Sequence, residues 1–432
     1  MRRDLARVVL SVGVVIASTL IGLGTVEVAL RLVRPDLGNA AHGSFEFSRN
    51  RLRQTVKDSV GWATQPDTGV RHRLICNSLG SRQHREFSAT KKPGVLRIGV
   101  FGDSFTENSR LPVQYSFTEP LDYLLNSMGR PVEVLNFGCD DYGTDQAYLW
   151  YMDEGPRLGL DVVIYMYCAN DLSDLMGNDL FVWDATRGLT YMPRAESPWY
   201  VKVARPFYLT YFVMERAPGL ADRMATLLYV ASGLESERHG YWTHGAARDR
   251  RGDVADRNED LLESSVPAAQ EVRRVFFALV DAMKSDVEQR GGKFIVGIVP
   301  VSVEATHTRL ERMLRERGID VVDLQPWFDG APPPAPRFQF ERDAHWNEEG
   351  NKFAAFFLAR FLADRLGWRA PSDAFLGQKL FEYYQSFPPT AVGPALLEPV
   401  PVAPALAGGI ARKYLSLENQ QIPRGAPDAA RD

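Results

Sequence analysis

The chain has 432 residues, a formal net charge of −4, and 45% hydrophobic and 24% charged residues. These fractions are those of a globular protein and exclude wholesale disorder. The mild acidity argues against a nucleic-acid partner, which would call for a basic face, and there is no zinc-finger spacing and no Walker loop.

In chain order, the first feature is Val8 to Val26, VVLSVGVVIASTLIGLGTV, an unbroken uncharged stretch. At ~1.5 Å per residue it comes close to spanning a hydrocarbon core of ~30 Å. Arg2, Arg3 and Arg7 precede it, and Arg31 and Arg34 follow. The bias favours a cytoplasmic N-terminus. The expected arrangement is a single-pass helix in the inner (cytoplasmic) membrane, with the rest of the chain outside the cytoplasm. A cleaved signal peptide is the competing reading, although no clear small-residue cleavage box is present.

The predicted organisation is an anchor over 1–34, a polar lead over 35–92, an α/β domain over 93–370, and a Pro/Ala-rich tail over 371–432. Short apolar runs fit for buried strands lie at Val95–Phe101, Val132–Phe137, Asp161–Tyr167, Phe294–Val299 and Ile319–Leu324. Helical patterns separate them, near Phe117–Met128, Thr144–Glu154, Ala268–Gln289 and Val303–Arg317, and another runs over Glu348–Leu366. This alternation predicts a three-layer sandwich: a five-stranded parallel sheet with helices on both faces. An insertion at about 177–265 is too long for a bare loop. It holds an aromatic part (Trp199, Tyr200, Phe207, Tyr208, Tyr211, Phe212) and a charged part around 248–251, and reads as a lid or substrate platform. A structural elaboration remote from the site is the plainer alternative. Cys76, Cys139 and Cys168 lie far apart, so no metal site is expected, and the odd count leaves at least one without an intramolecular partner.

Three places could carry chemistry. Gly102-Asp-Ser-Phe-Thr106 directly follows the first strand and would display Ser104 at the strand's end. A serine needs a neighbouring imidazole to take its proton. Cys168-Ala-Asn-Asp171 follows the third strand, and Asn170 could aim its amide at an oxyanion. Arg342-Asp-Ala-His-Trp-Asn347 precedes the last helix, and Asp343 could fix the tautomer of His345. Each also reads as ordinary turn or cap chemistry. All three fall at the carboxyl ends of strands or in a late loop, where ligands of open parallel sheets bind.

Together they resemble the SGNH, or GDSL-type, hydrolase family over about Val95 to Trp368. Gly102-Asp-Ser-Phe-Thr is similar to the family's first block, Asn136-Phe-Gly-Cys-Asp-Asp-Tyr-Gly143 to the second, Ala169-Asn170-Asp171 to the third, and Asp343-Ala-His345 to the last. The resemblance implies a flavodoxin-like sheet, Ser104 as nucleophile, His345 as base and Asp343 as its partner. It also implies an oxyanion hole from the Ser104 N–H, Asn170 and one second-block amide. A gap-free match puts Asp141 where that block often has its glycine. Gly143 is preferred, because it opens a helix and supplies a free N–H. The last block is shortened, with one residue between Asp and His, as in the branch that includes bacterial polysaccharide O-acetyltransferases.

The resemblance thus implies an acyl-enzyme ester hydrolase with no cofactor and no metal. Its expected substrate is an O-acyl, first of all O-acetyl, ester of a cell-envelope or exported glycan, with a lipid ester as a further possibility. The alternatives are an O-acetyltransferase for an exported polysaccharide and a non-catalytic membrane-tethered glycan-binding or assembly protein. Asp140, Asp141, Asp145, Asp171 and Asp174 are expected to crowd the mouth and to repel a polyanion.

Overall fold

A computed structural model describes residues 2–33, 45–48, 50–193, 207–209, 212–213, 261–262, 264–265, 267–300, 304–329 and 338–386. It begins with helix α1 (Arg2–Val33), followed by two antiparallel ribbons, β1 (Phe45–Ser48) with β2 (Leu52–Thr55) and β3 (Ser59–Thr64) with β4 (Arg71–Cys76). The α/β body runs β5 (Leu96–Gly102), α2 (Ser104–Glu107), α3 (Thr118–Ser127), β6 (Val132–Gly138), α4 (Thr144–Leu158), β7 (Val162–Tyr167) and α5 (Asp171–Asn178). A small hairpin of β8 (Phe181–Asp184) and β9 (Gly188–Tyr191) comes next. The remaining elements are α6 (Pro267–Gln289), β10 (Lys293–Ile298), α7 (Glu304–Arg315), β11 (Asp320–Asp323), α8 (Gln325–Asp329), α9 (Glu348–Arg365) and α10 (Asp373–Gln385).

The central sheet has the order β11-β10-β7-β5-β6, and every neighbouring pair is parallel. This is the three-layer, five-stranded architecture expected from the sequence. The period of two along each strand explains why both faces are covered. Ile98, Val100, Val134, Ile164 and Met166 point into one core with Leu121 and Leu124 of α3 and with Phe353 and Phe357 of α9. Phe101, Phe137, Val163, Tyr165 and Val296 point into the other, with Trp150 of α4, Val280 of α6 and Leu310 of α7.

The chain leaves β5 for the edge strand β6 and then returns to the other side of β5 for β7. The direction of winding therefore reverses at the carboxyl end of β5, and the diverging connections open a crevice there. Ser104 is the second residue beyond that end.

Two segments outside 93–370 pack on the body. Within the lead, two ribbons form. Leu52, Leu79 and Phe87 join one core, and Gln83 reaches the edge strand, donating to the Val134 carbonyl at 2.9 Å and accepting from the Asn136 N–H at 2.9 Å. The folded body also continues past 370. Leu376 and Leu380 of α10 enter the core beneath α9, and Tyr383 donates to the Gln114 carbonyl at 3.0 Å. The aromatic residues Trp199, Tyr200 and Tyr211, the charged stretch 248–251 and the tail beyond 386 lie outside the described residues.

α1 is long and apolar enough over Leu10–Val33 to cross a membrane by length and composition.

Candidate active site

Ser104 opens α2 on a turn that three contacts hold. Asp103 caps the helix, accepting the Phe105 N–H at 3.0 Å. Asn108 ends it in the left-handed conformation at φ 55° and donates to Asn351 of α9 at 3.1 Å. Gly138 at the end of β6 lies directly against the backbone of Thr106 and Glu107, where a Cβ would overlap. The edge strand can approach the nucleophile turn this closely only with a glycine there.

The loop carrying Asp343 and His345 is pinned at its base by a Gln339–Trp346 bridge and by the Phe340 N–H bonding the His345 carbonyl at 3.1 Å. The single residue between Asp343 and His345 has a geometric result. One carboxylate oxygen, Asp343 Oδ1, accepts both the His345 backbone N–H, at 2.8 Å, and the ring Nδ1–H. The shortened block is therefore a closed turn that fixes the imidazole. With Nδ1 as donor, Nε2 keeps its lone pair, and it stands 2.6 Å from Ser104 Oγ. The ring rests on Phe105, centroids 4.7 Å apart, and Phe105 rests on Trp346. The structure thus brings Ser104, His345 and Asp343 together across 241 positions of sequence.

Burial works against the charge on Asp343, but the hydrogen bonds from His345 and the charges of His345 and Arg110 outweigh it and hold the carboxyl at about 2. An unfolded aspartate titrates near ~3.9. The folded value is the depressed one, so the stabilisation is present above pH ~4 and is lost as pH falls toward the folded value. Wild type is therefore expected to lose melting temperature relative to Asp343→Asn across that acidic window. Parallel melting curves of both proteins on a pH series check this.

The oxyanion candidates fare unequally. Asn170 caps α5, and its amide donates to Asp174 at 2.6 Å, which orients the group and leaves one further N–H. Gly143, the preferred second-block donor, is corrected: its N–H donates to Gln146 Oε1 at 3.0 Å as part of its own helix cap. Asp140 donates its N–H to Glu107 at 2.7 Å. Asp141 adopts the left-handed conformation at φ 61°, and among the described residues no acceptor meets its N–H. The second-block candidate is therefore Asp141.

The expected acidic mouth is also corrected. Asp145 and Asp171 are buried, bonded to Asn178 and to Tyr165 respectively. Burial, and then the charge of Asp103, push the Asp171 carboxyl well up. Asp140 lies between Arg110 at 2.7 Å and Arg53 at 3.8 Å, and Asp141 pairs with Arg53 at 2.7 Å. Arg110 also approaches Asp343 at 3.7 Å. The rim sets three carboxylates, Asp140, Asp141 and Asp343, against two guanidiniums, Arg53 and Arg110, so the expected repulsion of a polyanion is weakened and not abolished.

The lead supplies residues that the sequence reading missed. Arg53 enters the rim from β2. Arg82 is fully buried, and its guanidinium donates to the Glu107 carbonyl at 2.7 Å and to the carbonyls of Asn108 and Leu111. The first two are acceptors at the open end of α2, and the third lies in the loop that follows it. Asp67, in the turn between β3 and β4, accepts the N–H of Glu341 at 2.8 Å and of Arg342 at 3.0 Å. It clamps the loop immediately before Asp343. A displacement of about 1 Å at a catalytic group can cost ~10²-fold in rate. Asp67→Ala is expected to lower kcat on a small acetyl ester by about 10–100-fold with little change in KM, and Asp67→Asn to recover part of it. A kcat for Asp67→Ala within about twofold of wild type would show that the loop keeps its geometry without the clamp.

No family model matches the sequence, and no curated protein matches it significantly. Solved structures are similar in part. One is a lipase/acylhydrolase from Enterococcus faecalis, 12% identical, aligned over 64% of this chain and 99% of its own, with a TM-score of 0.33. Another is a catalytic mutant of an acetylxylan esterase from Geobacillus stearothermophilus, 11% identical over 64% of this chain and 96% of its own, with a TM-score of 0.33. A third is a GDSL-like lipase from Bacteroides thetaiotaomicron, 10% identical over 65% of this chain and 93% of its own, with a TM-score of 0.32. At such TM-scores these likenesses carry no argument, and the functional reading rests on the site itself.

Proposed function

We propose that the chain is a serine ester hydrolase of the SGNH type, held at the cytoplasmic membrane by α1, that removes O-acyl groups, first of all O-acetyl, from a cell-envelope or exported glycan. The observation that carries the proposal is the hydrogen-bonded line from Asp343 through His345 to Ser104, with 2.6 Å at its reactive end. That spacing is the reach a general base needs.

The chemistry follows from the donors and acceptors. His345 Nε2 takes the Ser104 hydroxyl proton as Oγ bonds to the ester carbonyl carbon. The carbonyl oxygen takes up the electron pair and is received by the Ser104 N–H, the Asn170 amide and the Asp141 N–H. Collapse breaks the bond to the sugar oxygen, which leaves with the proton from His345. A water then gives its proton to His345 and attacks the acyl carbon, and Ser104 leaves protonated. Asp343 stays ionised and steadies the imidazolium at each stage. A rim whose carboxylates are paired with Arg53 and Arg110 and still outnumber them suits a substrate of low charge density, such as an acetylated neutral glycan, better than a polyanion.

The test incubates purified chain with an acetylated oligosaccharide, with and without an unacetylated acceptor, and follows free acetate and acetylated acceptor by mass spectrometry. Free acetate without transfer is expected. Acetylated acceptor as the main product would replace the hydrolase by the O-acetyltransferase, and no turnover at all would favour the binding or assembly role. A reporter fused after Asp432 is expected to be active only outside the cytoplasm; activity inside would overturn the orientation.

A further inference from the structure

α1 carries a carboxylate where its apolar run ends. Glu27 directly follows Val8–Val26, and it is 8% exposed while its neighbours Val26 and Val28 are 44% and 58% exposed. A carboxylate at the edge of a hydrocarbon layer is costly unless it is hydrogen-bonded. Its partners come from the distant insertion. One oxygen accepts the Tyr208 N–H and the other the Leu209 N–H, each at 3.0 Å. Arg31, one turn further along α1, pairs with Glu27 at 2.7 Å and places its guanidinium over the Tyr208 ring, 4.9 Å from the centroid.

The sequence around Tyr208 and Leu209 fits their position. Pro206 to Met214, PFYLTYFVM, contains no charged residue and is rich in aromatics, and Phe207 is 46% exposed. The uncharged stretch of α1 rises ~28 Å at ~1.5 Å per residue, so its end reaches the boundary of a ~30 Å hydrocarbon core. Glu27 and Arg31 then stand at headgroup level, where Tyr and Trp concentrate in membrane proteins and where arginine side chains reach water.

We infer that Phe207, Tyr208 and Leu209 form a membrane-interface element, seated on the outer end of α1 by Glu27, and that its partner is the headgroup–acyl boundary of the bilayer that α1 crosses. The inference rests on the anchor reading of α1. It gives the protein a second attachment point, within the insertion.

The test uses the full chain reconstituted in vesicles of phosphatidylethanolamine and phosphatidylglycerol. Cys76, Cys139 and Cys168 are buried, so a thiol-reactive fluorophore is directed to an added cysteine. Phe207→Cys is compared with Val60→Cys, which sits on β3 at a position 55% exposed. Phospholipid with a nitroxide just below the headgroup is expected to quench the probe at 207 at least about twofold more than the probe at 60. Glu27→Ala leaves α1 apolar and is expected to bring the quenching at 207 down to the control level.

Equal quenching at both positions, in a chain that resists alkaline carbonate, would overturn the inference and leave the anchor standing. That holds whether the probe at 207 is open to aqueous iodide or is closed to both quenchers by a second protein. Unchanged quenching in Glu27→Ala would overturn the seating by Glu27. Release of the chain by carbonate would overturn the anchor reading and the inference with it.

Discussion

Ser104→Ala is expected to abolish covalent labelling by a fluorophosphonate and to lower kcat on a small acetyl ester by about 10⁴–10⁶-fold, the range seen when a serine nucleophile that acts as one unit with its base is removed. The fold should survive. Among the described residues its side chain bonds only His345, so the change forfeits a single hydrogen bond there, worth ~0.5–1.5 kcal/mol net. Competing nucleophiles nearby are poor. Cys139 and Cys168 are fully buried, and burial pushes both thiols well above their ordinary range. Neither offers a thiolate to the reagent. Peptide mapping of the labelled wild type should therefore place the adduct on Ser104. Labelling of equal intensity in Ser104→Ala would assign the nucleophile elsewhere.

The sheet was legible because both of its faces are buried. Each strand reads as a short, nearly continuous apolar run, and the helices between them carry one apolar face. Ser104 was legible because it stands directly after such a run, and His345 because it stands just before the last helix with a carboxylate two residues away. Arg53, Asp67 and Arg82 were not. They act as single side chains in a polar segment without periodicity, and their partners lie 88, 274 and 25 positions away. Sequence shows a charge and not its partner, which is also why five aspartates read as an exposed acidic mouth when most are paired or buried. Gly143 is a different case. Gln146 stands three residues after it, the spacing at which a glutamine side chain reaches back to the N-cap N–H, so the engagement of that N–H was written in the sequence. The helix Asp373–Gln385 was hidden by the prolines that flank it, which read as a tail.

Arg82→Met is expected to cause the largest loss of stability, because three backbone carbonyls and one carboxylate depend on Arg82. Burial pulls its pKa down to about 10, so the guanidinium remains charged at neutral pH and its donors stay directed at Glu107, Asn108 and Leu111. Removing it leaves those carbonyls without that donor. It also removes the cation closest in effect to Glu107, whose carboxyl is fully buried and is already pushed up by burial and by Asp140. Glu107 can relieve its own part by taking a proton, since its affinity for one is already raised. The carbonyls have no such escape, and a buried acceptor left unmade costs ~1–3 kcal/mol. Methionine fills the volume, so the cavity contribution is small. A net loss of ~3–5 kcal/mol follows, the size found when one member of a buried charged pair is removed. At roughly 2–4 °C per kcal/mol, the melting temperature should fall by about 6–20 °C. The damage is also local to α2, which presents Ser104. Fluorophosphonate labelling should therefore slow at temperatures where the variant is still folded, because the hydroxyl loses its fixed place beside His345. Arg82→Lys keeps the charge and rotatable donors but not the planar fork, and should fall between the two. A melting temperature for Arg82→Met within roughly 2 °C of wild type would show that the open end of α2 is held by something other than this guanidinium.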